Sequence, residues 1–151
     1  MKIDSNFDEK QLLDRGKAFQ IGFITAIIMS VLFYFLQDGI GIEIAAFTSF
    51  AFSLWIPVTV CSIALIIKDA YDGVNSTTGR FGITVFGAGG SYILISSIIF
   101  LATGRETLLD GGVVTESIGN IINGICMITI CAVYWVKQHL NKRKFIDESS
   151  L

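Results

Sequence analysis

Four uncharged runs, at 18–37, 44–67, 81–104 and 117–136, constrain this chain more than any other feature of its sequence. Each is within or near the roughly 17–25 residues that a helix needs to cross about 30 Å of hydrocarbon. The runs are apolar all round, whereas a soluble helix needs a polar face alternating with its buried stripe at a period near 3.6. The expected fold is therefore all-α: an integral membrane four-helix bundle in which 1–151 is one membrane domain, with spans near 18–37, 44–67, 81–104 and 113–136. The head 1–17 and the tail 137–151 are far shorter than the roughly 40 residues below which a domain rarely folds unaided. No separate soluble catalytic or receptor domain is expected. The first span follows a mixed-charge head and no small-residue cleavage site follows it, so it is expected to stay in the mature protein rather than to act as a signal peptide.

Orientation follows from the basic residues. The head (Lys2, Lys10, Arg15, Lys17), the 68–80 loop (Lys68, Arg80) and the tail (Lys137, Lys142, Arg143, Lys144) hold ten of the eleven Lys and Arg. Only Arg105 falls on the other side. Positive charge in short loops stays cytoplasmic, so both termini and the 68–80 loop are expected inside. The outer loops then carry an acidic rim of Asp38, Glu43, Glu106, Asp110 and Glu116. With a pI near 5.3 and a formal charge of −2, no nucleic-acid partner is expected, since that needs clustered Lys and Arg.

Asn6 is placed to cap a helix in the head, with Glu9 three residues later in position to return to the cap's N–H. Two readings of that helix stand. Its Phe7, Leu12, Leu13 and Phe19 fit a helix lying on the inner membrane surface before turning into the first span. A solvated helical extension with pairs such as Asp14–Lys17 fits equally. In the second span, Pro57 cannot donate to the Ser53 carbonyl and predicts a kink, static or hinge-like, with Ser49, Ser53 and Thr59 available to freed backbone groups. Lys68-Asp69-Ala70-Tyr71-Asp72-Gly73 reads as an inner loop, with Lys68 and Tyr71 as interface anchors and Asp72-Gly73 as the turn. Asn75-Ser76-Thr77 matches a glycosylation acceptor, but a cytoplasmic loop would not meet the transferase.

The third span is rich in small residues. Gly87 and Ser91 stand four apart, the spacing that lets helix backbones approach closely. Gly87-Ala88-Gly89-Gly90-Ser91-Tyr92 has neither the strand nor the lysine of a nucleotide loop. Three cysteines without Cys-x-x-Cys spacing support neither a disulfide framework nor a thiol oxidoreductase. His139 is the only histidine, so neither a metal site nor a catalytic triad is expected. The chain is expected to need no cofactor and not to be an enzyme.

The fourth span carries Glu116, Asn120, Asn123 and Met127 at spacings of four, three and four, along one helical face. Polar residues inside a membrane are usually turned inward and often mark pathways or ligand sites. The plainer reading is hydrogen bonding to neighbouring helices, worth on the order of 0.6–2 kcal/mol each. At 1.5 Å per residue, Asn120 lies about 6 Å in from Glu116 and Asn123 about 10 Å in. On the same count Gly124, Gly90, Ser91, Trp55 and Pro57 fall near the midplane. The third and fourth helices are therefore expected to cross there, through Gly90, Ser91 and Gly124, with Trp55 filling space beside a bent second helix.

Asp8-Glu9-Lys10-Gln11-Leu12-Leu13-Asp14-Arg15-Gly16-Lys17-Ala18-Phe19, with Lys68-Asp69-Ala70-Tyr71, resembles a family of small multi-pass membrane proteins of unknown function from Gram-positive bacteria. That family shows Asp-Glu-Arg-Gln, then Arg-Gly-Lys-Ala, then Lys-Asp-Ala-Tyr after the second span. Lys10 here replaces the usual arginine and keeps the charge. The resemblance covers the first half well and the second half weakly, and it implies a bacterial membrane setting without an activity. A first span free of acidic residues separates the chain from the small multidrug exporters, whose four-helix plan it resembles. The expectation is a small membrane accessory or interaction protein, with the lipid bilayer and either a second copy or another membrane protein as partners. The alternative is an oligomeric transporter or channel subunit whose outer vestibule is Glu116, Asn120 and Asn123.

Overall fold

The computed structural model describes residues 9–71 and 77–149, without the side chains of 77, 78 and 144–149. Asn6, Phe7, Asp72, Gly73, Asn75 and Ser76, on which the head cap, the inner turn and the glycosylation match rest, lie outside the described residues. Helix α1 spans Glu9–Tyr34, α2 Ala46–Ile67, α3 Thr77–Ala102 and α4 Glu116–Ser149. All four are long and apolar enough to cross a membrane. Even the shortest, at 22 residues, reaches about 33 Å at 1.5 Å per residue. Apolar runs that expose no backbone polar group satisfy the demand of hydrocarbon that every N–H and C=O be bonded internally.

The structure decides details at the helix ends. Helix α1 is continuous from Glu9 through Ala18 into the span, so residues 9–17 of the head extend it without a turn. Asp14 is tied to Lys68 at 3.2 Å rather than to Lys17. Val113–Val114, assigned from sequence to the fourth span, form strand β2 of a hairpin with β1, Leu109–Asp110, and α4 begins only at Glu116. Leu109 pairs with Val114 and Asp110 with Val113, and the two loop residues Gly111 and Gly112 have φ of 57° and 94°. Positive φ at both central positions is the two-residue turn whose twist matches paired strands.

Helix α1 packs on α2, α2 on α4, and α4 on α3. The central α2 and α4 are thus flanked by α1 and α3. Helix α1 comes close to α2 at buried Gly22, where an added Cβ would stand 2.8 Å from Cys61 Cβ and 3.5 Å from the Pro57 carbonyl oxygen. Two apolar clusters lie toward the Lys68 end. Ala18, Leu65 and Ala70 join α1 to α2, and Ile66, Ile83, Ile130 and Tyr134 join α2, α3 and α4. At the opposite end, the chain leaves α1 through a π-helical turn, Phe35–Gly39. Ile40 N–H reaches back five residues to the Phe35 carbonyl at 3.1 Å. The 43–45 segment then pairs with β2 through Val114 N–H to the Glu43 carbonyl and Ala45 N–H to the Val114 carbonyl, each 2.8 Å. A small hydrogen-bonded cap thereby closes this end over the starts of α2 and α4.

Candidate functional site

The polar stripe of α4 starts under that cap. Thr48, fully buried at the start of α2, donates its hydroxyl to the Thr115 carbonyl at 2.7 Å and accepts the Gly119 N–H at 3.2 Å. One hydroxyl thereby ties the start of α2 to the first turn of a neighbouring helix. Gly119 permits the approach, since a Cβ there would meet Phe47 Cδ1 at 2.9 Å and Thr48 Oγ1 at 3.0 Å. Ser117, also buried, donates to Glu106 Oε2 at 2.7 Å, and Thr115 Oγ1 donates to the Thr107 carbonyl. Sequence reading singled out none of Thr48, Ser117 and Glu106 as site residues. Asp110-Gly111-Gly112 was the available signal for the hairpin that brings Glu106 back to α4.

Along the stripe, Glu116 is exposed and Asn120 and Asn123 are half-buried. Asn123 Oδ1 is buried and has no hydrogen-bond partner. Among the described residues, no side-chain hydrogen bond joins Asn120 or Asn123 to a neighbouring helix. Below them the stripe enters the α3–α4 seam. A Cβ on Gly90 would lie 2.6 Å from Met127 Cβ and 3.0 Å from the Gly124 carbonyl oxygen. One on Gly124 would lie 2.9 Å from the Gly90 carbonyl oxygen and 3.0 Å from Leu94 Cβ. Gly87 meets Cys131 in the same way, at 2.5 Å from Sγ. The structure therefore brings together Gly87, Gly90 and Gly124 with Met127, and backbone meets backbone at the crossing. Ser91 sits beside it but spends its hydroxyl within α3, on the Gly87 carbonyl at 3.0 Å.

Pro57 is buried within α2, and helical structure continues on both sides of it. Thr59 returns its hydroxyl to the Trp55 carbonyl at 2.7 Å. The Trp55 ring lies against Phe86 of α3, centroids 5.9 Å apart. This contact bridges α2 to α3 at the depth of the glycine seam.

A second constellation joins the segments that carry the family resemblance. Asp14 pairs with Lys68, Gln11 Nε2 donates to the Asp69 carbonyl at 3.4 Å, and Ala18 shares a buried cluster with Ala70. Asp69 Oδ2 takes Lys137 at 3.0 Å, and its Oδ1 accepts Asn141 Nδ2 at 3.4 Å, both from α4. Lys137 also donates to the Ile67 carbonyl at 3.1 Å. Asp69 has φ +53°, while Ala70 N–H bonds the Leu65 carbonyl and Asp69 N–H the Ile66 carbonyl. These two bonds make a Schellman cap with aspartate in the left-handed position usually held by glycine. The side chain explains the choice: it fastens the end of α2 to α4. Lys68 and Tyr71, the expected interface anchors, also serve within the chain: Lys68 pairs with Asp14, and Tyr71 packs against both apolar clusters.

Two clefts are described. One of about 290 Å³ lies among Ser62, Ile66, Tyr71, Gly82, Ile83 and Phe86. The other, about 360 Å³ and almost wholly apolar, lies among Met29, Phe33, Thr48, Phe52, Val114 and Ile118. Neither is lined by Glu116, Asn120 or Asn123. Comparison with known proteins found no matching family model, no matching curated protein and no matching solved structure.

Proposed function

We propose that this chain is a small accessory or interaction protein of a bacterial cytoplasmic membrane, with both termini inside. What carries the reading is how the polar groups are used. Thr48, Ser117, Glu106, Asp14, Lys68, Asp69 and Lys137 are committed to one another or to backbone, holding helices and caps in place. The basic residues at the Lys68 end support the orientation. The resemblance of the sequence segments 8–19 and 68–71 to the Gram-positive family supports the bacterial setting. On this reading the protein catalyses nothing and holds no cofactor. Its partners are lipid and another membrane protein or a second copy. A pull-down from its native membrane in mild detergent is expected to recover a stoichiometric membrane partner. Recovery of this chain alone and as a monomer would count against the role.

Asn123 favours the second reading, an oligomeric transporter or channel subunit. A buried amide oxygen without a donor from the protein is free to accept from a ligand or permeating species. Proteoliposome flux that survives Glu116→Ala, Asn120→Leu and Asn123→Leu together would remove this alternative.

A further inference from the structure

We infer that the face of α3 turned away from α4 is the contact surface for a second copy of this chain, in a parallel two-fold pair with Tyr92 at its centre. Phe81, Val85, Ala88, Tyr92, Ile95 and Ile99 are all exposed, and they recur at alternating spacings of four and three. This is a 3.5-residue repeat, the pattern that keeps one seam facing a partner helix. At about 100° per residue the repeat lies roughly 150° around α3 from the Gly87–Gly90 seam with α4, so both contacts fit one helix. The repeat covers most of the span Gly79–Ala102 and contains no charge, so a two-fold copy brings no like charges together.

Tyr92 argues that a protein helix, and not lipid alone, covers this face. It is 75% exposed. It lies within about 3 Å of the middle of its span, more than 10 Å from either interface, where a tyrosine hydroxyl would normally sit. No hydrogen-bond partner for its hydroxyl is described within the chain, and hydrocarbon offers none. A second copy related by an axis along the membrane normal presents a Tyr92 hydroxyl at the same depth, one donating and the other accepting. Side chains on a helix lean toward its N-terminus, over the residues three and four earlier. Here those are Gly89 and Ala88, which leave room for the partner's ring. Gly89 is spare in the chain's own fold, since a Cβ there would find only Met127 Cε, at 3.5 Å. A single polar residue in an apolar repeat also fixes register. The surface stands whether the protein serves an accessory or a transport role.

The test uses the full chain in lipid nanodiscs and in native membranes, with a photo-crosslinking residue placed singly at Val85, Tyr92, Ile95 and Ile99. Ile98 on α3 and Ile24 and Ile28 on α1 serve as exposed controls. Dimer adducts are expected at the four seam positions and not at the controls. Self-association of Tyr92→Phe, followed by single-molecule photobleaching across protein-to-lipid ratios, is expected to weaken roughly three- to thirty-fold. Ala88→Leu, which fills the notch, is expected to weaken it further. Adducts of equal yield at seam and control positions, a chain that stays monomeric at every ratio, or Tyr92→Phe pairing as tightly as the parent would each overturn the inference.

Discussion

A buried amide oxygen without a donor costs about 1–3 kcal/mol, and Asn123 Oδ1 is such an oxygen. Asn123→Leu removes it while roughly keeping volume. The expected outcome is a thermal midpoint in detergent that is unchanged or higher, together with loss of partner recovery or flux. A large fall in the midpoint with function retained would instead make Asn123 a packing residue. The glycines separate in the same manner. Gly124→Ala forces a Cβ to 2.9 Å from the Gly90 carbonyl oxygen, and backbone cannot yield cheaply there. A loss of about 1–3 kcal/mol is expected, the usual range for overpacking. Gly82→Ala meets nothing within 4 Å and is expected to be neutral or to gain up to about 1 kcal/mol from helix propensity. Thermal unfolding of both variants in one detergent checks the contrast. The common depth of Gly90 and Gly124 is readable in sequence, because rise per residue converts position into depth wherever span ends are marked by charge. The isolation of Asn123 Oδ1 is not readable, because it depends on what three other helices fail to offer.

At the scale of the elements, helices end where side chains from elsewhere in the chain complete them. Thr48 acts on α4 from 67 residues away, through Thr115. Nothing local distinguishes it from any other threonine near the start of a span, so its role was illegible. Thr48→Val keeps the shape and removes the hydroxyl, and with it both of its bonds to the start of α4. A loss of about 1–3 kcal/mol is expected, with faster amide exchange confined to the first turns of α4. Asp69 offers a finer test, because two effects of similar size oppose each other. Its left-handed φ favours glycine by about 1 kcal/mol, while its half-exposed ion pair with Lys137 contributes no more than about 1 kcal/mol. Asp69→Gly is therefore expected to be near neutral. Asp69→Ala, which keeps the strain and loses the pair, is expected to be clearly less stable when both are unfolded side by side. The Lys68–Tyr71 segment was legible as a feature, yet its geometry was not: a spacing of 54 residues to Asp14 says nothing about contact until the topology is known.

Over the whole molecule, the order of packing separates what is central from what is attached. The four spans were legible because hydrocarbon allows few alternatives to a fully bonded helix. Which helix sits between which was not, because apolar faces are interchangeable until small residues and glycine notches select partners. Helix α1 rests on α2 alone among its principal contacts, through Gly22, Ala18 and the Asp14–Lys68 pair. Gly22→Leu drives a side chain into Cys61 Cβ and should lift α1 while α2, α4 and α3 stay assembled. The three free cysteines report this separately. Cys61 lies under α1, Cys126 is buried on α4, and Cys131 is held against Gly87 of α3. Maleimide labelling of Gly22→Leu is expected to accelerate at Cys61 and to stay slow at Cys126 and Cys131. Gly124→Leu, which opens the other seam, is expected to expose Cys131 and leave Cys61 unchanged. If either variant freed all three thiols together, the helices would form one cooperative unit, and α1 would be as integral to it as α4.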